Sequence, residues 1–483
     1  MLDCVRAEDF PGGTAPVPGM PAVEALTDDG VRFPKAIAPS PWTLPSHASI
    51  LTGLEPWQHN LHLRGRVFLN PALRTLPSVL GSTGYRTLLL SGNSLLSPET
   101  GFSTQFQASA TAAWWEPFLR HTGFFPEVAN GDSNRRTHPP SSFGKMRRLS
   151  VELLLRYPAI VDGVNRVSAH TLDPETHRVG VSPWIEPTLE RWIEKQPADQ
   201  PIFSMINLID AHDPYLTDPA QNGGVRAWWR KVSVPQQYAA YKFSGLEATP
   251  KRVEVLRALY RDSIRSLDRR VGHIIRVLQE ANRWNNTLFV LTSDHGQALL
   301  EKGHLFHGQR VDEQITRIPL TVRFPESQFA GAIADGWSSL VDIAPLIYRL
   351  TGVAPPSAMS GVDLGSLIGK PRPSPAVAIS DGIVGGDQAA AWVPAAMLPK
   401  LHHVMAAVYS GDWKVVVEQH EPVAKAYNLA LDPAETVDRW AAEGPRLQSE
   451  AEMGRWVVNR IVDSPTSQMN PEVLRRLEGW GYI

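Results

Sequence analysis

The chain has 483 residues and a formal net charge of −2, and 20% of its residues are charged while 43% are apolar. This composition is typical of folded proteins and excludes disordered and fibrous ones, and the length accommodates a large α/β domain with an appended unit. The near-neutral charge provides no basic surface for nucleic acid and no polybasic segment for a membrane, so we expect neither as a partner.

The chain contains a single cysteine, Cys4. One cysteine excludes an intramolecular disulfide and a zinc site built from several thiolates, and it leaves the redox compartment open. Neither an apolar run of the ~18 residues that span a membrane nor a signal-peptide pattern is visible, so we expect a cytoplasmic chain as given. The opening residues, MLDCVRAEDF, read as the end of a buried strand followed by a loop, which indicates either a truncated N-terminus or a short first strand.

The segment SPWTLPSHASILTG, Ser40 to Gly53, is the first to suggest chemistry. Pro45 favours a first helical turn, which places Thr43 just outside the helix, beside unpaired N–H groups that attract anions. An ordinary turn with a helix cap explains the same pattern, so the segment alone leaves both interpretations open.

Continuous apolar runs without alternation predict parallel strands that are buried on both faces. They occupy residues 85–93, 201–215 and 286–296. Each run follows a segment with helical spacing of apolar residues, and these segments are residues 73–84, 184–196 and 253–282. Alternating helices and buried strands predict a doubly wound sheet whose ligand site lies beyond the carboxyl ends of the strands.

Two segments, 114–180 and 217–250, are rich in Trp, Pro and Arg and have weak periodicity. We interpret them as insertions that wall the substrate site near the strand ends. After about residue 368, the β pattern and Gly-Asp turn of residues 407–419 predict a small antiparallel sheet with a terminal helix. We therefore expect a catalytic domain over residues 1–368 and a β subdomain over residues 369–483.

Acids and histidines follow the predicted strands, at the edge of the sheet where a ligand would bind. They are Asp3, Asp210, His212, Asp294, His295, His304 and His307. Each pair alone is explained by turn chemistry or by a satisfied loop histidine. Several acids that converge on one edge repel each other unless a cation lies between them, so the set together predicts a divalent metal ion.

A cation at this edge would give Thr43 a role. Coordination lowers the pKa of a hydroxyl and makes it a nucleophile, and the cation also neutralises the oxygens of an anionic ester. Other side chains could contact the remaining ester oxygens or protonate the leaving group. The candidates are His47, Asn93, His212 and His307.

Six segments resemble, in order and spacing, the sulfatase branch of the alkaline phosphatase superfamily, and the similarity runs from Leu2 to about Trp440. They are GVRFPKAIAPSPWTLPSHASILTGLEP, INLIDAHDPY, NTLFVLTSDHGQALLEKGHLFHG, RIPLTVRFP, SLVDIAPLIYRLTGV, and SGDWKVVV with YNLALDPAET. The resemblance implies an α/β/α sandwich with a mostly parallel central sheet and a small C-terminal antiparallel β subdomain. It also implies metal-dependent hydrolysis of sulfate or phosphate esters.

Carried over by position, the resemblance implies one set of metal ligands and one set of catalytic residues. The metal ligands are Asp3, Thr43, Asp294 and His295. The catalytic residues are Thr43 as nucleophile, His47, His212 and His307. His304 matches less closely, and Asp210 matches a second-metal ligand of other branches only poorly in spacing.

The chain departs from the family at the nucleophile. Sulfatases carry Cys or Ser in a pattern resembling Cys-x-Pro-x-Arg and convert it to formylglycine, whereas here the five residues run from Thr43 to His47. We therefore expect no formylglycine, and a threonine ester must be hydrolysed at sulfur or phosphorus. His47 in the place of Arg also removes a permanent charge from the site.

The resulting hypothesis is a metal-dependent hydrolase of sulfate or of phosphate and phosphonate esters, with phosphorus slightly favoured. A phosphotransferase that passes the group to an acceptor alcohol is one alternative, and a catalytically silent metal-binding homologue is another. We expect a small anionic ester as substrate and one divalent cation. A single imidazole ligand favours Mn²⁺ or Zn²⁺, and Mg²⁺ and Ca²⁺ stay open. The sequence predicts no oligomeric state.

Overall fold

The structure, a computed structural model, describes residues 1–111, 182–212, 215, 250–381 and 403–464. Of the predicted insertions, 114–180 and 217–250, all but Pro250 lie outside these residues. The α-helices are α1 Pro21–Asp28, α2 Thr43–Thr52, α3 Pro56–His59, α4 Leu76–Ser82, α5 Ile185–Glu194, α6 Pro250–Glu280, α7 Glu313–Thr316, α8 Ile343–Thr351, α9 Trp440–Glu443 and α10 Gln448–Val462. The strands are β1 Val31–Arg32, β2 Ala36–Ile37, β3 Arg86–Ser91, β4 Ala108–Thr111, β5 Ile202–Asn207, β6 Phe289–Thr292, β7 Ala298–Leu299, β8 Leu305–Phe306, β9 Arg317–Ile318, β10 Leu320–Arg323, β11 Ser338–Ser339, β12 Ala376–Ser380, β13 Met405–Ser410, β14 Trp413–Glu418 and β15 Lys425–Asn428.

The strands that position the site belong to two three-stranded sheets. In the first, β3 pairs in parallel with β4 on one side and with β5 on the other. In the second, β10 pairs antiparallel with both β6 and β1. Leu2 forms parallel bridges to Leu208 and to Ser293, so it connects the end of β5 with the end of β6. The first sheet is built from parallel pairs and the second from antiparallel pairs, so a single, mostly parallel central sheet stays a prediction.

Residues Met1 to Asp3 lie in the strand position between β5 and β6. The amine of Met1 donates to the carbonyl of Ile206 at 2.8 Å, and the amide of Leu2 donates to the carbonyl of Thr292 at 2.8 Å. Beyond Met1, a cavity of about 550 Å³ continues between the two strands. Residues Met1 to Asp3 are thus hydrogen-bonded to the strands on both sides, and this pairing fixes Asp3 at the sheet edge.

Helical layers cover both faces of the first sheet. Leu88 and Leu90 of β3 pack in one cluster with α1, α5 and α6, while Leu89 packs in another with α2. Successive side chains of a strand point to opposite faces, so this division places one layer on each side. The predicted helix before β6 is confirmed as α6, whose buried apolar residues recur every three or four positions. They are Leu256, Leu259, Tyr260, Ile264, Leu267, Val271, Ile274, Val277 and Leu278.

The C-terminal part of the chain forms an antiparallel sheet in the order β12-β13-β14-β15. Helix α10 packs on it, with Val457 and Ile461 in the same buried cluster as Val408 and Val417. The division at residue 368 stays a prediction. Within the residues that the structure describes, no helix is both long enough and apolar enough to cross a membrane.

Candidate active site

The candidate site lies where the strands of the two sheets end. Asn93 follows β3, His212 follows β5, and Asp294 with His295 directly follows β6. Asp3 ends the short strand that lies between β5 and β6. Because the carboxyl ends of parallel strands meet at one edge, residues distant in sequence converge there.

Helix α2 brings Thr43 to this edge. Trp42 precedes it in an extended conformation, with φ −153° and ψ 164°, and Thr43 is the first helical residue rather than the residue just outside the helix. The hydroxyl of Ser46 donates to the carbonyl of Ser40 at 2.8 Å, which holds the turn that enters the helix. Thr43 is fully buried, so its hydroxyl faces the neighbouring side chains instead of bulk water.

The Thr43 hydroxyl lies among polar side chains from other elements. Its Oγ1 is 3.5 Å from Nε2 of His295, and Nδ2 of Asn93 donates to it at 3.3 Å. The same Asn93 amide donates to Oδ2 of Asp3 at 2.9 Å, and Asn207 donates to that oxygen at 3.3 Å. Asn93 therefore holds the hydroxyl and a carboxylate at one point.

Asp294 is the second buried carboxylate of the site. Its Oδ1 accepts the backbone N–H groups of His295 at 2.9 Å and of Cys4 at 3.3 Å. Its Oδ2 is buried with no hydrogen-bond partner among the described residues, and it lies 3.4 Å from Nε2 of His295. A buried oxygen of this kind needs a proton or a cation to offset the loss of water.

The electrostatics favour a cation. Burial raises the pKa of Asp294 well above its usual range, and the nearby charge of Asp3 raises it further. Burial acts in the same direction on Asp3, but His212, His295 and the Asn93 amide lower the pKa of Asp3 overall. Two adjacent buried carboxylates ionise together only beside a positive charge. The donor set of two carboxylates, a hydroxyl and an imidazole fits a divalent cation.

His295 has a lone pair directed at this point. Burial lowers the pKa of His295 to about 4, so the ring is neutral at pH 7. Nδ1 lies 2.9 Å from the carbonyl oxygen of Gly296, which can only accept, so Nδ1 carries the proton. Nε2 is then unprotonated and faces Thr43 and Asp294, as a metal ligand must.

The three predicted catalytic histidines, His47, His212 and His307, make different contacts. Nδ1 of His47 is 2.9 Å from the carbonyl oxygen of Thr43, and burial lowers the pKa of His47 to about 4. The ring of His307 lies 4.3 Å from that of His295 and 5.0 Å from that of His212, measured between centroids. His47 therefore contacts the backbone of Thr43, and its Nδ1 also lies 3.7 Å from Oδ2 of Asp294. His307 contacts the rings of both His295 and His212.

The structure brings Asp3, Thr43, Asp294 and His295 together but separates Asp210 from them. The carboxylate of Asp210 accepts from Arg270 at 2.7 Å and from Ser266 at 3.1 Å, both on α6. It belongs to a buried ion network between α6 and α5. His304 lies at the end of a turn, where its carbonyl accepts the N–H of Leu300 at 2.8 Å.

Three residues at the site were not predicted: Cys4, Asn207 and Gln297. Sγ of Cys4 donates to Oδ1 of Asp3 at 3.4 Å, and Oε1 of Gln297 lies 2.6 Å from Nδ1 of His307. Cys4 was detectable in principle, since it is adjacent to Asp3 at the same strand end. Nothing in the sequence marks Gln297, because its role depends on where the loop with His307 folds back.

Comparison with known proteins identifies the family to which the chain belongs. The family model described as "Sulfatase" matches residues 1–353. The chain belongs to the sulfatase family. This assignment supports hydrolysis of sulfuric or phosphoric esters, and metal binding is common in the family.

Relatives of this sulfatase-family chain include proteins that are named for different activities. It is 30% identical over 132 residues to the multifunctional alkaline phosphatase superfamily protein PehA of Trinickia caryophylli, which covers 27% of the chain and 26% of PehA. It is 22% identical over 479 residues to the choline-sulfatase of Rhizobium meliloti, which covers 92% of the chain and 82% of that enzyme. The match to PehA thus spans about a quarter of that protein's length.

Solved structures share the fold of this sulfatase-family chain. The phosphonate monoester hydrolase of Agrobacterium radiobacter superposes with a TM-score of 0.63 at 18% identity, over 94% of each chain. BT4656 in complex with its substrate, D-glucosamine-2-N,6-O-disulfate, gives a TM-score of 0.67 at 16% identity, over 96% of this chain and 97% of that one. These superpositions show that the chain has an alkaline phosphatase-like sulfatase fold.

Proposed function

We propose that the chain hydrolyses a small monoanionic ester, of the sulfate, phosphodiester or phosphonate type, with Thr43 as the nucleophile. The observation that carries this proposal is the position of the Thr43 hydroxyl. It is fully buried, and it lies 3.3 Å from the Asn93 amide and 3.5 Å from Nε2 of His295. A buried hydroxyl beside two carboxylates and a neutral imidazole is the arrangement of a metal-activated nucleophile.

Asp3, Asp294, His295 and Thr43 are the residues that would hold a divalent cation. When bound, such an ion lowers the pKa of the hydroxyl and neutralises the oxygens of the ester. The Asn93 amide holds both the hydroxyl and Asp3 in position. His47, through its hydrogen-bond contact with the Thr43 carbonyl, orients the first turn of α2.

The reaction has two steps on Thr43. In the first, its oxygen forms a bond to phosphorus or sulfur as the bond to the leaving oxygen breaks; the hydroxyl proton passes to solvent, and the leaving oxygen takes a proton from His212 or His307. In the second, water attacks phosphorus or sulfur and the bond to the Thr43 oxygen breaks. One proton of that water goes to the Thr43 oxygen, its hydroxide stays on the released acid, and the histidine regains its proton from solvent. A threonine has no aldehyde hydrate, so this second step must break the bond at phosphorus or sulfur.

Three kinds of ester fit this proposal: sulfate esters, phosphodiesters and phosphonate esters. PehA is named as a multifunctional protein, a choline-sulfatase is among the relatives, and a phosphonate monoester hydrolase shares the fold. All of these substrate types present a tetrahedral centre with negatively charged oxygens. We favour phosphorus slightly, because a threonine nucleophile lacks the elimination route that formylglycine provides for sulfate.

The test is turnover of aryl sulfate, aryl phosphodiester and aryl phosphonate esters, with and without a chelator and with Mn²⁺, Zn²⁺, Mg²⁺ or Ca²⁺ added back. We expect metal-dependent turnover of at least one ester, and a fall in kcat of about 10³-fold or more in Thr43→Ala. Thr43→Ser, which keeps an oxygen at the same place, is the matched control and should stay within about 10-fold of the native chain.

Other outcomes would contradict the proposal in distinct ways. Full activity in Thr43→Ala would remove the nucleophile assignment. Turnover that rises with an added alcohol, together with a new ester of that alcohol, would indicate a phosphotransferase. Metal binding without turnover of any ester would indicate a silent homologue.

A further inference from the structure

A cleft lies between α3 and α10, and none of the residues that line it belongs to the ester site. Its volume is about 470 Å³. The lining includes two tryptophans, two asparagines, an arginine and an aspartate: Trp57, Trp456, Asn60, Asn459, Arg460 and Asp463. Helix α3 follows the end of α2 that is remote from Thr43, and α2, with ten residues, is about 15 Å long. The cleft is therefore a separate feature of the molecule.

The two tryptophans form the apolar wall of the cleft. Their ring centroids lie 6.2 Å apart, and their planes meet at 87°. Trp57 is half-buried and packs against the apolar cluster of α10 and the C-terminal sheet, which holds its ring in place. Trp456, in contrast, keeps 54% of its surface exposed. A large aromatic side chain with an exposed face beside a cleft is typical of a binding surface, where such rings provide much of the contact energy.

Polar side chains on the same side of α10 complete the cleft. Asn459, Arg460 and Asp463 follow Trp456 by three, four and seven positions, and this spacing places all four on one side of the helix. The other side of α10 packs on the C-terminal sheet. Within the described part of the chain, the side chains of Asn459, Arg460 and Asp463 have no hydrogen-bond or ion-pair partner. Their donors and acceptors are therefore available to a ligand.

We propose that this cleft binds a neutral saccharide, with one sugar ring stacked on Trp456. A pyranose ring has a face of C–H groups that packs on an aromatic ring, and its hydroxyls both donate and accept hydrogen bonds. The Asn459 amide can do both, the Arg460 guanidinium donates, and the Asp463 carboxylate accepts. The cleft thus offers an apolar surface beside both kinds of hydrogen-bonding group, as a sugar requires.

The charges of the cleft favour a neutral ligand over an ionic one. Arg460 and Asp463 carry opposite charges and lie within one turn of α10, so together they add no net charge. A cation stacked on Trp456 would meet the guanidinium, and an anion would meet the carboxylate. The volume also lies within the range of about 300 to 1,000 Å³ that is common for ligand sites, which suits a short oligosaccharide.

Calorimetric titration of the full chain with neutral tetrasaccharides tests this proposal. The probes are cellotetraose, maltotetraose, xylotetraose and chitotetraose, which differ in sugar and linkage but carry no charge. We expect at least one of them to bind with a dissociation constant of about 1 mM or lower. Binding should need neither Thr43 nor a divalent cation, because the cleft contains neither.

Variants locate the binding site. Trp456→Ala should weaken binding by about 30-fold or more, because it removes the stacking surface. Trp456→Phe keeps an aromatic ring and should stay within about 10-fold of the native chain. Asn459→Ala should weaken binding by about 2- to 10-fold through the loss of hydrogen bonds. Leu431→Ala is the matched control, since Leu431 is 75% exposed and lies outside the cleft, and it should leave binding unchanged. Circular dichroism confirms that each variant is folded.

Several results would overturn the proposal. One is the absence of binding of all four saccharides at about 10 mM, and another is equal binding by the native chain and Trp456→Ala. Binding of tetramethylammonium, but not of saccharides, would identify a cation site. Self-association in sedimentation experiments that Trp456→Ala abolishes would identify an interface between copies of the chain.

These results are separable from the proposed function. Saccharide binding that persists in Thr43→Ala and without metal, in a chain that hydrolyses no ester, would support the cleft and remove the proposed function. Metal-dependent ester hydrolysis by a chain that binds none of the saccharides would remove the cleft proposal and leave the function intact.

Discussion

A buried carboxylate oxygen without a hydrogen-bond partner occurs outside the site, at Glu55, as well as within it, at Asp294. Glu55 precedes α3 and is only 7% exposed, and its Oε2 has no hydrogen-bond partner among the described residues. Burial raises the pKa of Glu55 to about 8, against the opposing charge of Arg372 and with a further rise from Asp342. The folded chain therefore holds this proton at pH values where the unfolded chain has released it.

The sign of the resulting pH dependence follows from the proton count. Between the unfolded pKa of about 4.5 and the folded pKa of about 8, the folded state binds more protons, so the free energy of unfolding falls as pH rises. The slope from one such group is at most about 1.4 kcal/mol per pH unit. Glu55→Gln keeps the neutral shape, so we expect it to be more stable than the native chain at pH 8 and similar at pH 4.5.

Urea unfolding of both chains at several pH values between 4.5 and 8 measures this difference directly. Subtracting the two curves removes every other group that titrates in the range. Curves that run parallel over the whole range would show that Glu55 is ionised in the folded protein.

The sequence could predict which residue types reach the sheet edge but not which of them share a site. Asp210 and Asp294 both follow a buried strand, yet only Asp294 joins the cluster, because Arg270 of α6 pairs with Asp210. Arg270 is 60 positions from Asp210 in the sequence and reaches it only because α6 packs beside β5, so no local sequence pattern predicts the pair. Cys4 excludes a disulfide and a cysteine zinc site, and only its position next to Asp3 indicates that it lies at the sheet edge.

At the scale of elements, the end of β6 depends on close contact with the segment before β9. The amide of Gly296 donates to the carbonyl of Ile315 at 2.7 Å, and a Cβ at position 296 would lie 2.1 Å from the carbonyl oxygen of Gln314. Only glycine allows this approach. The two segments together hold Asp294 and His295 at the sheet edge.

We expect Gly296→Ala to separate these segments and to lower the free energy of unfolding by about 1 to 3 kcal/mol. The displacement should also weaken Mn²⁺ or Zn²⁺ binding, because two proposed ligands precede residue 296 directly. Gly81→Ala is the matched control, since a Cβ in α4 meets nothing closer than 3.4 Å. It should be neutral or stabilise the chain by up to about 1 kcal/mol. Equal effects of the two substitutions would contradict the role of the close contact.

Periodicity predicted elements better than it predicted their ends. The helix predicted over residues 253–282 is α6, Pro250–Glu280, because its apolar spacing is long and regular. The strand predicted over residues 201–215 is β5, Ile202–Asn207, and the apolar residues that follow form the turn that carries His212. An apolar run alone does not separate a buried strand from a buried turn. Antiparallel pairing of β6 with β10 depends on a long-range contact and was not predicted.

At the scale of the whole molecule, the C-terminal sheet contacts residues 311–313, which lead into the segment that packs against Gly296 beside the site. Lys414 of β14 is fully buried, and its Nζ donates to the carbonyl of Val311 at 2.5 Å and to Glu313 at 3.2 Å, and pairs with Glu435 at 2.5 Å. Burial alone would lower the pKa of Lys414, but Glu435, then Tyr409 and Glu313, raise it well above the usual value. The lysine therefore stays charged and joins the C-terminal sheet to residues 311–313.

Lys414→Met tests this connection, because the substitution removes the ammonium group and leaves the buried carboxylates of Glu313 and Glu435 without their lysine partner. Breaking one partner of a buried ion network costs about 3 to 5 kcal/mol, so we expect a loss of that size in the free energy of urea unfolding. Lys425→Met is the matched control, since Lys425 pairs with Glu418 at 2.7 Å with its side chain 42% exposed and should cost less than about 1 kcal/mol. The double variant Lys414→Met with Glu435→Gln should lose less free energy of unfolding than the two single variants added together. In the double variant, neither a buried lysine nor a buried Glu435 carboxylate is left without its partner. If the two lysine variants were equally stable, the C-terminal sheet would not stabilise the segment beside the site through Lys414.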